Sequence, residues 1–219
     1  MLIDTNETLL LIGDSITDAG RARPVGSGSD GGLGSGYAAY VNSVLSVVYP
    51  QRHIRVLNTG ISGNTVRDLE NRWSTDVFDL NPDWLSIMIG TNDVWRQFDA
   101  LDRPEIHVLP AEFEERLDRL VHQTLPKVKG LVLMTPFLIE PDVTDPMRAM
   151  MDRYGQIVKS IAQRQNALFV DTQAAYNAVL QHSKPEGLSG DRVHPNQVGH
   201  MVLASALLTA LELEWPSSK

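Results

Sequence analysis

The chain contains no cysteine, which excludes disulfide staples, thiolate catalysis and cysteine-ligated zinc. It also lacks an excess of positive charge. Asp and Glu outnumber Lys and Arg by 27 to 19, a net charge of −8 at pH 7. Such a surface field works against nonspecific binding to nucleic acid or to an anionic membrane, and favours a neutral substrate over a polyanion. Long hydrophobic runs are missing as well. The first apolar run, Leu9 to Ile12, is too short for a signal-peptide core or a membrane span, and Asp4 and Glu7 precede it. These absences lead to the expectation of a cytoplasmic protein with neither nucleic acid nor membrane as partner.

Nucleotide-binding loops are absent too. No G-x-x-x-x-G-K-[ST] run occurs, and the one formal G-x-G-x-x-G match, Gly26 to Gly31, lies about a dozen residues beyond the first apolar run instead of directly after it. The second apolar run ends in Leu57-Asn58, where a dinucleotide site needs Asp or Glu. No cofactor is expected. Residues 20–36 hold seven glycines and read as a mobile surface loop, or as a flexible wall of a site.

What is present is a repeated alternation. Leu9–Ile12, Ile54–Leu57, Trp84–Ile89, Leu131–Met134 and Leu168–Val170 read as five buried strands. Amphipathic stretches near 36–48, 65–78, 111–125 and 146–165 separate them, and further helices are expected near 172–181 and 196–212. Asn81-Pro82, Gly130 and Pro195 punctuate the pattern. It predicts βαβ units and a parallel sheet, in a single domain over residues 1–219.

In open α/β sheets ligands bind beyond the carboxyl ends of the strands, so the segments following the strands carry the argument. They read Gly13-Asp14-Ser15-Ile16-Thr17-Asp18, Gly60-Ile61-Ser62-Gly63-Asn64 and Gly90-Thr91-Asn92-Asp93; near the C-terminus comes Asp191-Arg192-Val193-His194-Pro195. A serine hydroxyl needs a base to take its proton, an imidazole titrates in the right range, and a carboxylate fixes its tautomer. Ser15, His194 and Asp191 supply these types. The backbone N–H groups of Ser15 and Gly63 and the side-chain amide of Asn92 are candidates for stabilising an oxyanion. Singly, each has a plainer reading: Ser15 as a helix cap, Asn92 and Gly63-Asn64 as turn residues, Asp191 and His194 as a solvated pair. Together they form the inventory for acyl transfer.

Those four blocks resemble the SGNH, or GDSL-type, hydrolases across nearly the whole chain, with Ile16 where the nominal motif has leucine. The resemblance implies a three-layer α/β/α, flavodoxin-like fold with a five-stranded parallel sheet and a metal-free mechanism. It implies catalytic roles for Ser15, Asp191 and His194, and an oxyanion hole of Ser15, Gly63 and Asn92. The runs Gly13–Asp18, Gly60–Asp68, Asn92–Arg96 and Asp191–Pro195 further resemble bacterial acetylxylan esterases. That implies removal of acetyl groups from xylan-derived or other acetylated carbohydrates, and homo-oligomers that include rings. Asp14 and Trp95 are candidates for the substrate pocket; Asp14 also resembles the block's structural acid. Gly190 departs from the pattern, since xylan-acting relatives carry a large aromatic there. Rival readings are a short-chain esterase, thioesterase or lysophospholipase of the same family, a metal-dependent hydrolase using Asp14, Asp18, Asp191 and His194 or His200, and a noncatalytic carbohydrate-binding protein.

Overall fold

The computed structural model describes residues 1–28 and 30–215. The five expected strands form: β1 (Thr8–Gly13), β3 (Arg55–Asn58), β4 (Trp84–Met88), β5 (Gly130–Met134) and β6 (Leu168–Val170), all parallel to one another. A further strand departs from the expectation of five. Gly26–Ser27 forms β2, which pairs antiparallel with β3 and makes the sheet six-stranded, in the order β2-β3-β1-β4-β5-β6. The stretch from 20 to 36, expected as a loose loop, is therefore tied down. Arg21, almost fully buried, donates from Nε to the Gly60 carbonyl at 2.6 Å, and Asn58 Nδ2 donates to the carbonyls of Thr17 and Leu33. Ser29 of the formal glycine motif lies outside the described residues.

Strand alternation builds the layers. Leu10, Ile12, Leu85 and Ile87 point to one face of the sheet, beneath α3 (Val66–Trp73), α4 (Thr91–Asp99), α5 (Pro110–Thr124) and α6 (Pro146–Gln165). Leu9, Leu11, Val56 and Val132 point to the other, beneath α2 (Tyr37–Val48), α7 (Thr172–Leu180) and α8 (Gln197–Ala210). Both faces are covered, which is why these strands read as unbroken apolar runs. Caps set the helix ends. Asp145 accepts from the N–H groups of Met147 and Arg148 to start α6, Asn196 does the same for Val198 and Gly199 at α8, and Thr65 and Asp68 form a capping box at α3.

Two helices escape the apolar periodicity. The four-residue α1 (Ser15–Asp18) is too short to show a stripe, and the first turn of α4 is occupied by Thr91, Asn92 and Asp93. The chain runs from β1 outward to β3 and then returns to β4 on the other side of β1. The switch point thus lies between β1 and β4, whose ends carry Ser15 and Asn92. No described helix is long and apolar enough to cross a membrane.

Candidate active site

Ser15 opens α1 directly off β1. Its predecessor Asp14 caps the helix, its Oδ1 accepting the Ile16 N–H at 3.0 Å, and Ala19 ends the turn in the left-handed region. The serine is left at the surface end of the sheet, half-buried. From the far end of the chain, His194 reaches it: Ser15 Oγ and His194 Nε2 are 2.9 Å apart. On the other side of the ring, Nδ1 lies 2.7 Å from Asp191 Oδ2. This contact fixes Nδ1 as the protonated nitrogen and leaves Nε2 free to accept from the serine hydroxyl.

The spacing of three residues between Asp191 and His194 works because Arg192 adopts a left-handed conformation, φ 68°, folding the chain back on itself. Asp191 Oδ1 then accepts the backbone N–H groups of Val193 at 2.9 Å and His194 at 2.7 Å. Partial burial opposes its charge, but these hydrogen bonds and the one from the imidazole outweigh it and hold the carboxyl at about 2. It is ionised throughout the neutral range. The pair is open to solvent, with His194 and Asp191 side chains 45% and 47% exposed.

The candidate oxyanion donors come from the segments that follow the adjacent strands β1, β3 and β4. Gly63 has φ +82°, and a Cβ there would meet no protein atom within 4 Å. The left-handed backbone conformation favours glycine, and open space lies in front of it. Among the described residues, neither the Ser15 nor the Gly63 N–H has a hydrogen-bond acceptor. Asn92 sits in the first turn of α4, entered through Gly90 at φ +126°, and not in a turn or loop. Its Nδ2 donates to the Asn64 carbonyl at 3.0 Å, which leaves its second hydrogen available. Trp95, one residue beyond the turn, faces the imidazole with ring centroids 5.8 Å apart and planes tilted by 57°.

Asp14 does not line the pocket. It is 1% exposed, lies under the nucleophile as the α1 cap, and burial pushes its carboxyl up to about 6. Asp18 is held by Arg23 at 2.6 Å and by the Ser62 N–H, while His200 Nδ1 accepts the Tyr37 N–H at 3.3 Å. Burial lowers His200 to about 4, so it is neutral at pH 7. Asp14, Asp18 and His200 are thus engaged in three separate structural contacts, and among the described residues no group of three or more His, Asp or Glu is arranged to hold a metal ion.

Three residues brace the site in ways that the sequence pattern does not reveal. Arg72 of α3 donates from Nε to Asn64 Oδ1 (2.7 Å), from Nη1 to the Thr59 carbonyl (2.6 Å) and from Nη2 to the Gly13 carbonyl (3.0 Å). It thereby ties two strand ends to the Gly63-Asn64 turn. Asp93 Oδ1 accepts the Val66 N–H at 3.0 Å, linking α4 to α3. Ser189 Oγ lies 3.0 Å from Asp191 Oδ1 and 2.8 Å from the His194 carbonyl, bracing the loop from inside. A cleft of about 240 Å³ between α6 and α7 lies elsewhere; neither Ser15 nor His194 lines it, and its Arg148 and Gln173 are already bonded to the surrounding chain.

Residues 11–202 match the model of the GDSL-like Lipase/Acylhydrolase family. The chain is 58% identical to an acetylxylan esterase of Geobacillus stearothermophilus over 219 residues, all of both chains. The crystal structure of that organism's acetylxylan esterase Axe2 superposes with a TM-score of 0.98 at 57% identity, again over all of both chains. Structures of Axe2 described as catalytic mutants carry S15A, H194A and D191A, and another variant replaces a tryptophan at its position 190. LAE5, an alpha/beta hydrolase enzyme from the metagenome of Lake Arreo, Spain, matches with a TM-score of 0.95 at 49% identity, over 97% of this chain and 98% of its own.

Proposed function

This chain belongs to the GDSL-like lipase/acylhydrolase family, and from that premise we propose that it is a serine esterase removing acetyl groups from xylo-oligosaccharides or other acetylated carbohydrates. The single observation that carries the reading is the continuous chain of contacts Ser15 Oγ–His194 Nε2–His194 Nδ1–Asp191 Oδ2, at 2.9 and 2.7 Å. Similarity to an acetylxylan esterase over the full length supports the substrate class.

In the proposed cycle His194 takes the Ser15 proton as Oγ attacks the acetyl carbonyl carbon. The carbonyl oxygen gains negative charge facing the N–H groups of Ser15 and Gly63 and the Asn92 amide. Collapse breaks the bond to the sugar oxygen, which leaves as the hydroxyl after taking the proton from the imidazolium, and acetyl-Ser15 remains. Water, deprotonated by the same imidazole, attacks the acyl-enzyme; the second tetrahedral species releases acetate and restores the serine. Asp191 stays ionised throughout and stabilises the imidazolium. Trp95 forms a wall of the pocket beside the leaving sugar.

The open setting of His194 suits a bulky polyol as leaving group. Gly190, next to Asp191, has open space where a side chain would stand. An aromatic there has room, and its lack here widens the sugar side of the pocket. The test is acetate release from acetylated xylo-oligosaccharides, aryl acetates and aryl octanoates. Acetyl esters are expected to turn over faster, and a preference for octanoate would overturn the reading in favour of a lipase-like relative. Adding Gly190→Trp is expected to lower KM for the acetylated oligosaccharide several-fold with no change for the aryl acetate.

The proposal also takes in one domain over residues 1–219, a cytoplasmic location and a homo-oligomer. Exposed Val198, Met201 and Trp215 give apolar surface for self-association. Light scattering on the eluted protein distinguishes that from a monomer.

A further inference from the structure

Arg96 lies one helical turn beyond Asn92 on α4, on the same face. Its guanidinium touches three things. Nη1 pairs with Asp99. Nη2 is 3.4 Å from Asn92 Oδ1. Cζ stands 5.3 Å from the centroid of the Trp95 ring, whose own centroid is 5.8 Å from that of His194. The Asn92 amide is thus bracketed, with a cation at its oxygen and the Asn64 carbonyl, at 3.0 Å, on its nitrogen.

The bracket matters because the two ends of a side-chain amide are nearly the same size. Rotated by half a turn, Asn92 would present an acceptor to the developing oxyanion and repel it. We propose that Arg96 is a positioning residue for the oxyanion hole, its guanidinium fixing the Asn92 amide with the N–H end towards the acyl oxygen. The inference rests on the reading of Asn92 as an oxyanion donor. The contact at 3.4 Å is long for a hydrogen bond, so the guanidinium acts mainly as a fixed charge facing the amide dipole. The same charge draws electron density towards Oδ1 and makes the Nδ2 hydrogens better donors. Both effects grow as the substrate oxygen becomes negative, so they favour the transition state over the bound ester. Asp99 keeps the guanidinium from swinging into solvent.

The experiment is a double-mutant cycle on aryl acetate hydrolysis with Arg96→Met, Arg96→Lys, Asn92→Ala and the Asn92→Ala/Arg96→Met double variant, each with its thermal midpoint. Loss of a whole oxyanion donor reduces turnover by about 10²–10³, so Asn92→Ala is expected in that range and Arg96→Met at roughly tenfold, with KM little changed. Arg96→Lys recovers most of the rate, and the double variant is no slower than Asn92→Ala, because the arginine acts through the amide. Wild-type kcat in Arg96→Met, or single effects that multiply in the double variant, overturns the inference while leaving the oxyanion hole intact. Wild-type kcat in Asn92→Ala removes the oxyanion reading itself, and the inference with it.

Discussion

At the scale of the residue, the site works by giving each group one task through its immediate contacts. Asp191 combines hydrogen bonds from two backbone N–H groups with its contact to Nδ1, and its carboxyl at about 2 keeps it charged throughout the neutral range. Replacing it with asparagine keeps the size and the acceptor oxygen but allows the wrong tautomer, with Nε2 protonated and useless as a base. Asp191→Asn is expected to fold normally and lose turnover by roughly 10⁴, the scale known for this change in a serine protease triad. Near-wild-type kcat, measured alongside an unchanged circular dichroism spectrum, would remove Asp191 from the mechanism. Ser15→Ala and His194→Ala are each expected to abolish nearly all turnover. Their double variant should be little worse than either, because the hydroxyl and the imidazole act as one unit.

At the scale of the element, strands and long helices are legible in the sequence because their apolar faces repeat. α6 falls at 146–165, where the periodicity places it, bounded by an Asp145 cap and by Asn166 in the left-handed region. The four blocks proposed as catalytic are legible for a different reason: three follow strands and the fourth leads into α8, and the proposed chemistry demands particular residue types there. What stays hidden depends on partners far apart in sequence. β2 is two residues long and exists only because β3 lies beside it. α4 escapes because its first turn holds the polar residues Thr91, Asn92 and Asp93 in place of an apolar stripe. Arg72 looks like one more charge on a polar helix face, yet it bonds the carbonyls of Gly13 and Thr59 and the side chain of Asn64. Arg72→Leu, similar in bulk, leaves those buried acceptors unmet and Asp76 without its counter-ion. The expected loss is on the order of 3 kcal/mol, because stranding the partners of a buried charge costs more than the net worth of the pair. Urea unfolding of both proteins checks it, and an unchanged midpoint would show that water serves those carbonyls equally well.

At the scale of the whole molecule, the same buried carboxylates that organise the site set the pH dependence of folding. Burial pushes Asp93 up to about 7, with Asp14 and Asp68 adding repulsion, and its Oδ2 has no hydrogen-bond partner. In the unfolded chain it titrates near 3.8, the value for a free aspartate side chain. Between these values the unfolded state has released a proton that the native state retains, so the contribution of Asp93 to native stability falls as pH rises through that window. The contribution is fully present below the unfolded value and fully lost above about 7. Asparagine at this position keeps an acceptor for the Val66 N–H and never ionises. Relative to the native protein, Asp93→Asn should therefore gain stability as pH rises from 4, levelling off above 7. The gain reaches about 4 kcal/mol, since each tenfold difference in proton affinity between the folded and unfolded chain is worth about 1.4 kcal/mol. For a chain of this length that corresponds to a relative rise in thermal midpoint on the order of 10 °C. Calorimetry of both proteins at pH 4, 5, 6, 7 and 8 measures the difference directly. A difference independent of pH would mean that Asp93 is already ionised in the fold, with water or a shifted side chain compensating the charge that its surroundings now leave unpaired.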